Sequence, residues 1–177
     1  MNKKQVFNLI IILIGLFFVV KKMMKSSEYS EVRKINEIYY SGKYSDAKSA
    51  LESHLVKYPT SSDSWVYLGL VNLDLNDTIA AEEAYIKAFE LDSKNDKAMI
   101  GLGIVQRMKG NYAKARAYYE KAIEVNPNNP DAYSSLLVLE IKNENYPKAV
   151  ALGEKARGMK LLDTRPGVLG SLVVAYL

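Results

Sequence analysis

The chain of 177 residues contains no cysteine and only one histidine and one tryptophan. Without cysteine, lipoprotein-type attachment to a membrane is excluded. The same absence does not identify a compartment, because cytoplasmic and periplasmic domains alike can lack cysteine. His54 stands alone, and no Gly-rich phosphate loop sits between a strand and a helix, so the residue sets of common active sites are missing. His54 is in phase with Ala88, Ala122 and Ala156 and reads as a space-filling, partly buried residue. Glu82-Glu83 reads as a solvated helix surface. Asn76-Asp77-Thr78 matches a glycosylation triplet but reads as turn chemistry. The sequence therefore points to no catalytic residue, no metal ligand and no cofactor.

Acidic residues are absent from the first 25 positions, which hold five lysines. The whole chain carries a net charge of +4, yet from Ser26 onward the other 19 Lys and Arg face all 20 acids, a net of −1. The basicity belongs to the N-terminal segment, where it favours anionic headgroups, and argues for no nucleic-acid partner. Lys3 and Lys4 precede a run from Val6 to Val20 that is apolar except for Asn8 and Gly15; Lys21, Lys22 and Lys25 follow. Such a run spans roughly 22 Å as a helix, against a hydrocarbon core of about 30 Å. Snorkelling lysines and Met23-Met24 extend its reach. A cleavable signal would need small residues at its end, and none come before Ser26-Ser27. Residues 1–25 are therefore expected to be a single uncleaved transmembrane signal-anchor, in a bacterial inner (plasma) membrane. The lysines on its two sides nearly balance. The basic N-region tips the expectation toward cytoplasmic retention of the N-terminus and a periplasmic, extracytoplasmic domain.

What the rest of the chain has in quantity is a repeat. At a constant step of 34 residues, Ala47, Ala81, Ala115 and Ala149 recur in register, as do Tyr44, Thr78, Tyr112 and Tyr146. Leu68, Leu102 and Leu136 share a position, and so do Pro59 and Pro127. A period of this length marks stacked supersecondary units. Within a unit the spacing is helical: Met99, Leu102, Gly103 and Gln106 form one stripe, and Ala115, Tyr119 and Ala122 another. Gly42, Asn76 and Gly110-Asn111 fall where a left-handed residue would close the first helix of each pair. Gly69, Gly103, Ala81 and Ala115 are expected to bring the two helices together, with Tyr85 and Tyr119 filling the gap beside them.

These residues resemble the tetratricopeptide repeat (TPR) family. The unit 96–129 carries the family pattern best, through Leu102, Gly103, Ala115, Tyr119, Ala122 and Pro127; the unit 62–95 adds Trp65, Leu68, Gly69, Ala81, Tyr85 and Ala88. The outer units, 28–61 and 130–163, are looser. Glu31 and Lys34 suit a solvated first helix, and Leu137 and Gly153 exchange the usual small and large residues. The resemblance covers about four-fifths of the chain. It implies an all-α fold: a right-handed α-solenoid of helix-turn-helix repeats behind one transmembrane helix. Residues 166–177 would form a terminal helix whose Val174 and Leu177 lack cover and could dock on a partner or mediate homodimerisation.

In this family the leading helices line a concave groove. The resemblance places Asn36, Tyr39 and Tyr40 there from the first unit and Tyr67, Leu70, Leu73 and Asp74 from the second. The third gives Lys97, Ile104, Arg107 and Met108, and the fourth Val138 and Ile141; Val66 and Ile100 are expected beside them. An apolar lining of that kind suits a protein or peptide segment. The family's carboxylate clamp is incomplete: Asn36 and Lys97 match, but Val32, Tyr67 and Gly101 occupy its other places. The expected function is a membrane-anchored adaptor or scaffold in assembly of an envelope complex. A membrane-anchored chaperone holding exported polypeptides is the alternative.

Overall fold

A computed structural model describes residues 27–158, as two compact units that divide between Pro59 and Thr60. The first holds helices α1 (27–40) and α2 (Tyr44–Lys57). The second holds α3 (Ser62–Asp74), α4 (Thr78–Leu91), α5 (Asp96–Met108), α6 (Tyr112–Val125), α7 (Pro130–Lys142) and α8 (Tyr146–Gly158). No strand occurs among the described residues. None of the described helices is long and apolar enough to cross a membrane. The anchor expected at 1–25, and the helix expected at 166–177 with Val174 and Leu177, lie outside the described residues.

The repeat step is visible in the backbone. Helices α2, α4, α6 and α8 begin at Tyr44, Thr78, Tyr112 and Tyr146, each 34 residues after the last. Each leading helix stops at a residue with positive φ: Gly42 at 80°, Asn76 at 61°, Gly110 at 79° and Glu144 at 58°. Around each, two backbone bonds reach back to the last turn, as Asn76 N–H to the Leu73 carbonyl (2.9 Å) and Asp77 N–H to that of Asn72 (2.8 Å). Asn111 and Asn145 repeat the longer bond to Gln106 and Glu140, both at 2.9 Å. This left-handed closure satisfies carbonyls that a helix end leaves bare. Glycine enters that conformation freely, whereas Glu144 must do so against the clash of its Cβ.

Helices α4, α5 and α7 start on side-chain caps. Asp77 accepts from Ala80 N–H at 3.0 Å, Asn95 from Ala98 N–H at 3.1 Å and Asn129 from Asp131 N–H at 2.8 Å. Pro130 follows Asn129 at the first helical position, where its missing N–H costs nothing. The caps also join successive repeats. Asn95 donates to Ser62 Oγ (2.8 Å), which donates to the Ala88 carbonyl (3.0 Å). One step on, Asn129 and Asn126 both donate to Asp96, at 2.8 and 2.6 Å.

Two buried clusters share α5. Val66, Ala81, Tyr85, Ala88, Ala98, Leu102 and Val105 pack α3, α4 and α5 together; Met99, Ile100, Ala115, Tyr119, Ala122, Ala132, Leu136 and Leu139 do the same for α5, α6 and α7. The glycines act differently from the expectation of simple helix approach. A Cβ added to Gly69 would lie 2.6 Å from the Tyr85 ring, and one on Gly101 or Gly103 would also overlap a tyrosine ring, of Tyr85 and Tyr119 respectively. The tyrosines thus sit on the glycines, not beside them, and Tyr85 is held between Gly69 and Gly101. In the last pair the sizes reverse: Leu137 is buried on α7 and Gly153 on α8. Total volume at the crossing matters more than which helix supplies it.

Candidate functional site

Helices α3, α5 and α7 are neighbours in that order, so residues one repeat apart form rows across them. Leu70, Ile104 and Val138 make one row, half-buried on α3 and α5 and exposed on α7. Leu73, Arg107 and Ile141 make a second, all half-buried. Asp74 and Met108 begin a third that Lys142 completes, all three exposed. Tyr67 is half-buried and Lys97 exposed on the same helices. Met108 keeps 51% of its surface and Val138 42%, which makes them the most open apolar groups of these rows.

The lining is less open than the sequence suggests. Val66 and Ile100, expected in the groove, are core residues with 8% and 7% exposure. Leu73 packs against the cluster around Tyr85, and Ile104 against that around Tyr119. The cause is adjacency of the leading helices: apolar residues facing the next leading helix are used to bind the repeats together. Burial pushes the Tyr119 phenol above its ordinary pKa, and the neighbouring Arg107 opposes that rise.

In the first unit α1 presents Tyr40 at 80% exposure, with Asn36 and Tyr39 half-buried. The Tyr39 ring meets Tyr40 edge-on at 5.2 Å and Tyr44 at 5.5 Å. Glu31 is not simply solvated, as the sequence suggests, and His54 is more than filler. The His54 ring is buried with Nδ1 3.2 Å from a Glu31 carboxylate oxygen, and Lys57 donates to the other oxygen. The Lys57 hydrogen bond holds the Glu31 carboxyl below its usual value against burial, with His54 contributing in the same sense.

The strongest polar constellation escapes the sequence pattern. Glu140 on α7 is fully buried. Arg116 on α6 donates to both its oxygens at 2.8 Å; Asn145 adds 3.0 Å and Lys148 3.1 Å. Burial pushes the Glu140 carboxyl up, but the hydrogen bonds and charges of Arg116 and Lys148 outweigh it and hold the pKa below the carboxylate value. Lys148 is raised, first by its hydrogen bond to Glu120 and then by that to Glu140. One repeat earlier the same places hold Gln106 and Glu82, which bond at 2.9 Å, while Lys109 also reaches Glu82. Glu82 is therefore an inter-repeat link and not a free surface acid. A helical period cannot reveal this, because Glu140 lies within an otherwise ordinary polar and apolar alternation.

The fold has known counterparts. Residues 42–159 match the family described as the cytochrome c-type biogenesis protein H TPR domain. Among solved structures, MamA is similar with 26% identity and a TM-score of 0.63, over 79% of this chain and 84% of that one. A thermophilic TPR protein of Thermus thermophilus superposes with a TM-score of 0.73 at 19% identity, over 84% of this chain and 81% of that one. The first TPR of Spaghetti (RPAP3), solved bound to an HSP90 peptide, gives 0.60 at 20% identity, over 66% and 93%. At such identity the last two bear on fold alone. Nothing among curated protein sequences matches the chain.

Proposed function

Because the chain belongs to the TPR family of cytochrome c-type biogenesis protein H, we propose that it is a non-enzymatic adaptor that binds a protein or peptide along its leading helices. The observation that carries this reading is the row Leu70, Ile104 and Val138, flanked by Met108, on three adjacent helices. Val138 and Met108 remain open there, and Asp74, Lys97 and Arg107 lie on the same helices to fix the register of a bound segment. Residues 1–25 anchor the adaptor in a bacterial inner membrane with the repeats on the extracytoplasmic side. Confinement to two dimensions raises the effective concentration for a membrane-bound partner. The setting proposed is assembly of an envelope complex, and the family's name makes cytochrome c-type biogenesis the first candidate. Carboxylate-clamp capture is not part of the proposal, since Val32, Tyr67 and Gly101 lack the polar groups it requires.

The test uses Met108→Glu with Val138→Glu, because both side chains are open and neither belongs to a buried cluster. In-cell crosslinking of the full chain should recover one or two stoichiometric partners, and the double variant should lose them with its helical content intact. Unchanged capture by the variant would remove the leading-helix assignment. Recovery of many unfolded clients would point to the chaperone instead. Proximity labelling from both sides of the membrane tests the orientation.

A further inference from the structure

Outside the candidate groove, α5 and α6 frame a second concavity of about 330 Å³, lined by Gln106, Lys114, Ala117, Tyr118 and Lys121. The four α6 residues fall at i, i+3, i+4 and i+7 and so form one stripe of the helix. Lys114 and Lys121 stand about 10 Å apart along it. Ala117 leaves the floor low between them. Tyr118 is half-buried, with its hydroxyl available to donate. Lys121 lies over the Phe89 ring at 5.1 Å.

The repeat provides an internal comparison. One step on, Lys148 occupies the position of Lys114, and there it meets two carboxylates, Glu120 at 2.8 Å and Glu140 at 3.1 Å. The residues in register with those two acids are Ile86 and Gln106. Lys114 accordingly has no ion pair with any described residue. The acid that Gln106 meets, Glu82, is also held by Lys109. The backbone cradle is thus repeated, its lysine is kept, and the carboxylates that fill it in the next repeat are replaced by an amide and an aliphatic side chain.

We propose that this α5–α6 pocket docks the carboxylate side chains of an acidic peptide segment from a partner protein. Lys114 and Lys121 supply charge at the two ends, and Tyr118 between them an O–H donor. A segment with two acidic residues spans the lysine pair better than a single small anion does, which is why the occupant is a peptide. The site is separate from the leading-helix rows and stands or falls independently of them.

The test is calorimetric titration of the full chain, in nonionic detergent micelles at low salt, with a tetraglutamate peptide. Binding is expected, weakened by added salt, with tetralysine inert and free glutamate much weaker. Lys114→Ala with Lys121→Ala should reduce affinity at least fivefold, the scale of about 1 kcal/mol of charge pairing. Ile86→Glu restores the acid that Lys148 enjoys one repeat later, so it should occupy Lys114 internally and weaken the peptide as much. Ile86→Gln should leave binding unchanged and controls for fold. No binding of tetraglutamate, or equal binding by wild type, the lysine variant and Ile86→Glu, would overturn the proposal. Free glutamate binding as tightly as the peptide would overturn the peptide as occupant.

Discussion

Replacing Glu140 by alanine removes a carboxylate that four donors share. Hydrogen bonds to charged groups contribute roughly 1.5–3 kcal/mol each, and breaking a buried ion pair costs about 3–5 kcal/mol when the surviving charge stays buried. Here the survivors are not trapped: the Arg116 and Lys148 side chains are 34% and 39% exposed and can turn to water. That relief places the expected loss at about 2–4 kcal/mol. The assay is urea denaturation followed by far-UV circular dichroism, comparing midpoints at constant slope. The α4–α5 layer supplies a repair. Arg116→Glu with Glu140→Gln rebuilds on α6 and α7 the pairing that Glu82 and Gln106 make, and should recover much of the stability lost by Arg116→Glu alone. A loss below about 1 kcal/mol for Glu140→Ala, or no recovery in the double variant, would refute the claim that this pair holds the last repeats together.

The pH dependence has a definite sign. Because the native Glu140 carboxyl titrates below the ordinary carboxylate range, its stabilisation is complete above that range and disappears as pH falls through the lower native value. The difference between wild type and Glu140→Ala should therefore shrink on acidification below about pH 4 and stay constant above about pH 6. A gap that widened in acid would mean that the carboxyl is protonated in the native protein.

Other outcomes follow from the repeat geometry. Glu144→Gly should raise the unfolding midpoint, because relief of left-handed strain, about 1–2 kcal/mol, exceeds the extra chain entropy of glycine, about 0.5–1 kcal/mol. A drop in midpoint would show that the Glu144 side chain matters more than its backbone. Gly101→Ala should cost about 1–3 kcal/mol by displacing the Tyr85 ring, measurable in the same denaturation experiment. Asn129→Ala should cost about 1–2 kcal/mol, since it deletes the cap of α7 and a bond to Asp96 together; Asn129→Ser, a good capping residue whose shorter side chain gives up the amide bond to Asp96, should fall between.

The fold was legible because the repeat states it several times. Ala81, Ala115 and Tyr119 announce contact surfaces by recurring, and the structure buries all three. The helix ends were equally readable wherever glycine or asparagine marks them, but Glu144 takes the same left-handed geometry with nothing in its chemistry to signal it. The candidate groove was harder. Periodicity assigns Val66 and Ile100 to a face, and only the adjacency of α3, α5 and α7 decides that the face is spent on the neighbouring helix. Glu31, His54 and Lys57 come together over a separation of 26 residues, which no local pattern predicts.

The inter-repeat layer shows why a regular backbone can still carry specific chemistry. Positions 72, 106 and 140 are Asn, Gln and Glu, one repeat apart, and each lies on a leading helix in the same turn before the left-handed closure. Their surroundings change with them: Gln106 meets an acid on α4, whereas Glu140 meets a base on α6. Exchanging both members preserves the contact while moving charge from the trailing helix to the leading one. The lysine that follows, Lys114 or Lys148, is then satisfied or left open according to the leading-helix residue and Ile86 or Glu120. Polar substitutions in register can thus create an open cationic site at one repeat and close it at the next, with no change in the path of the chain.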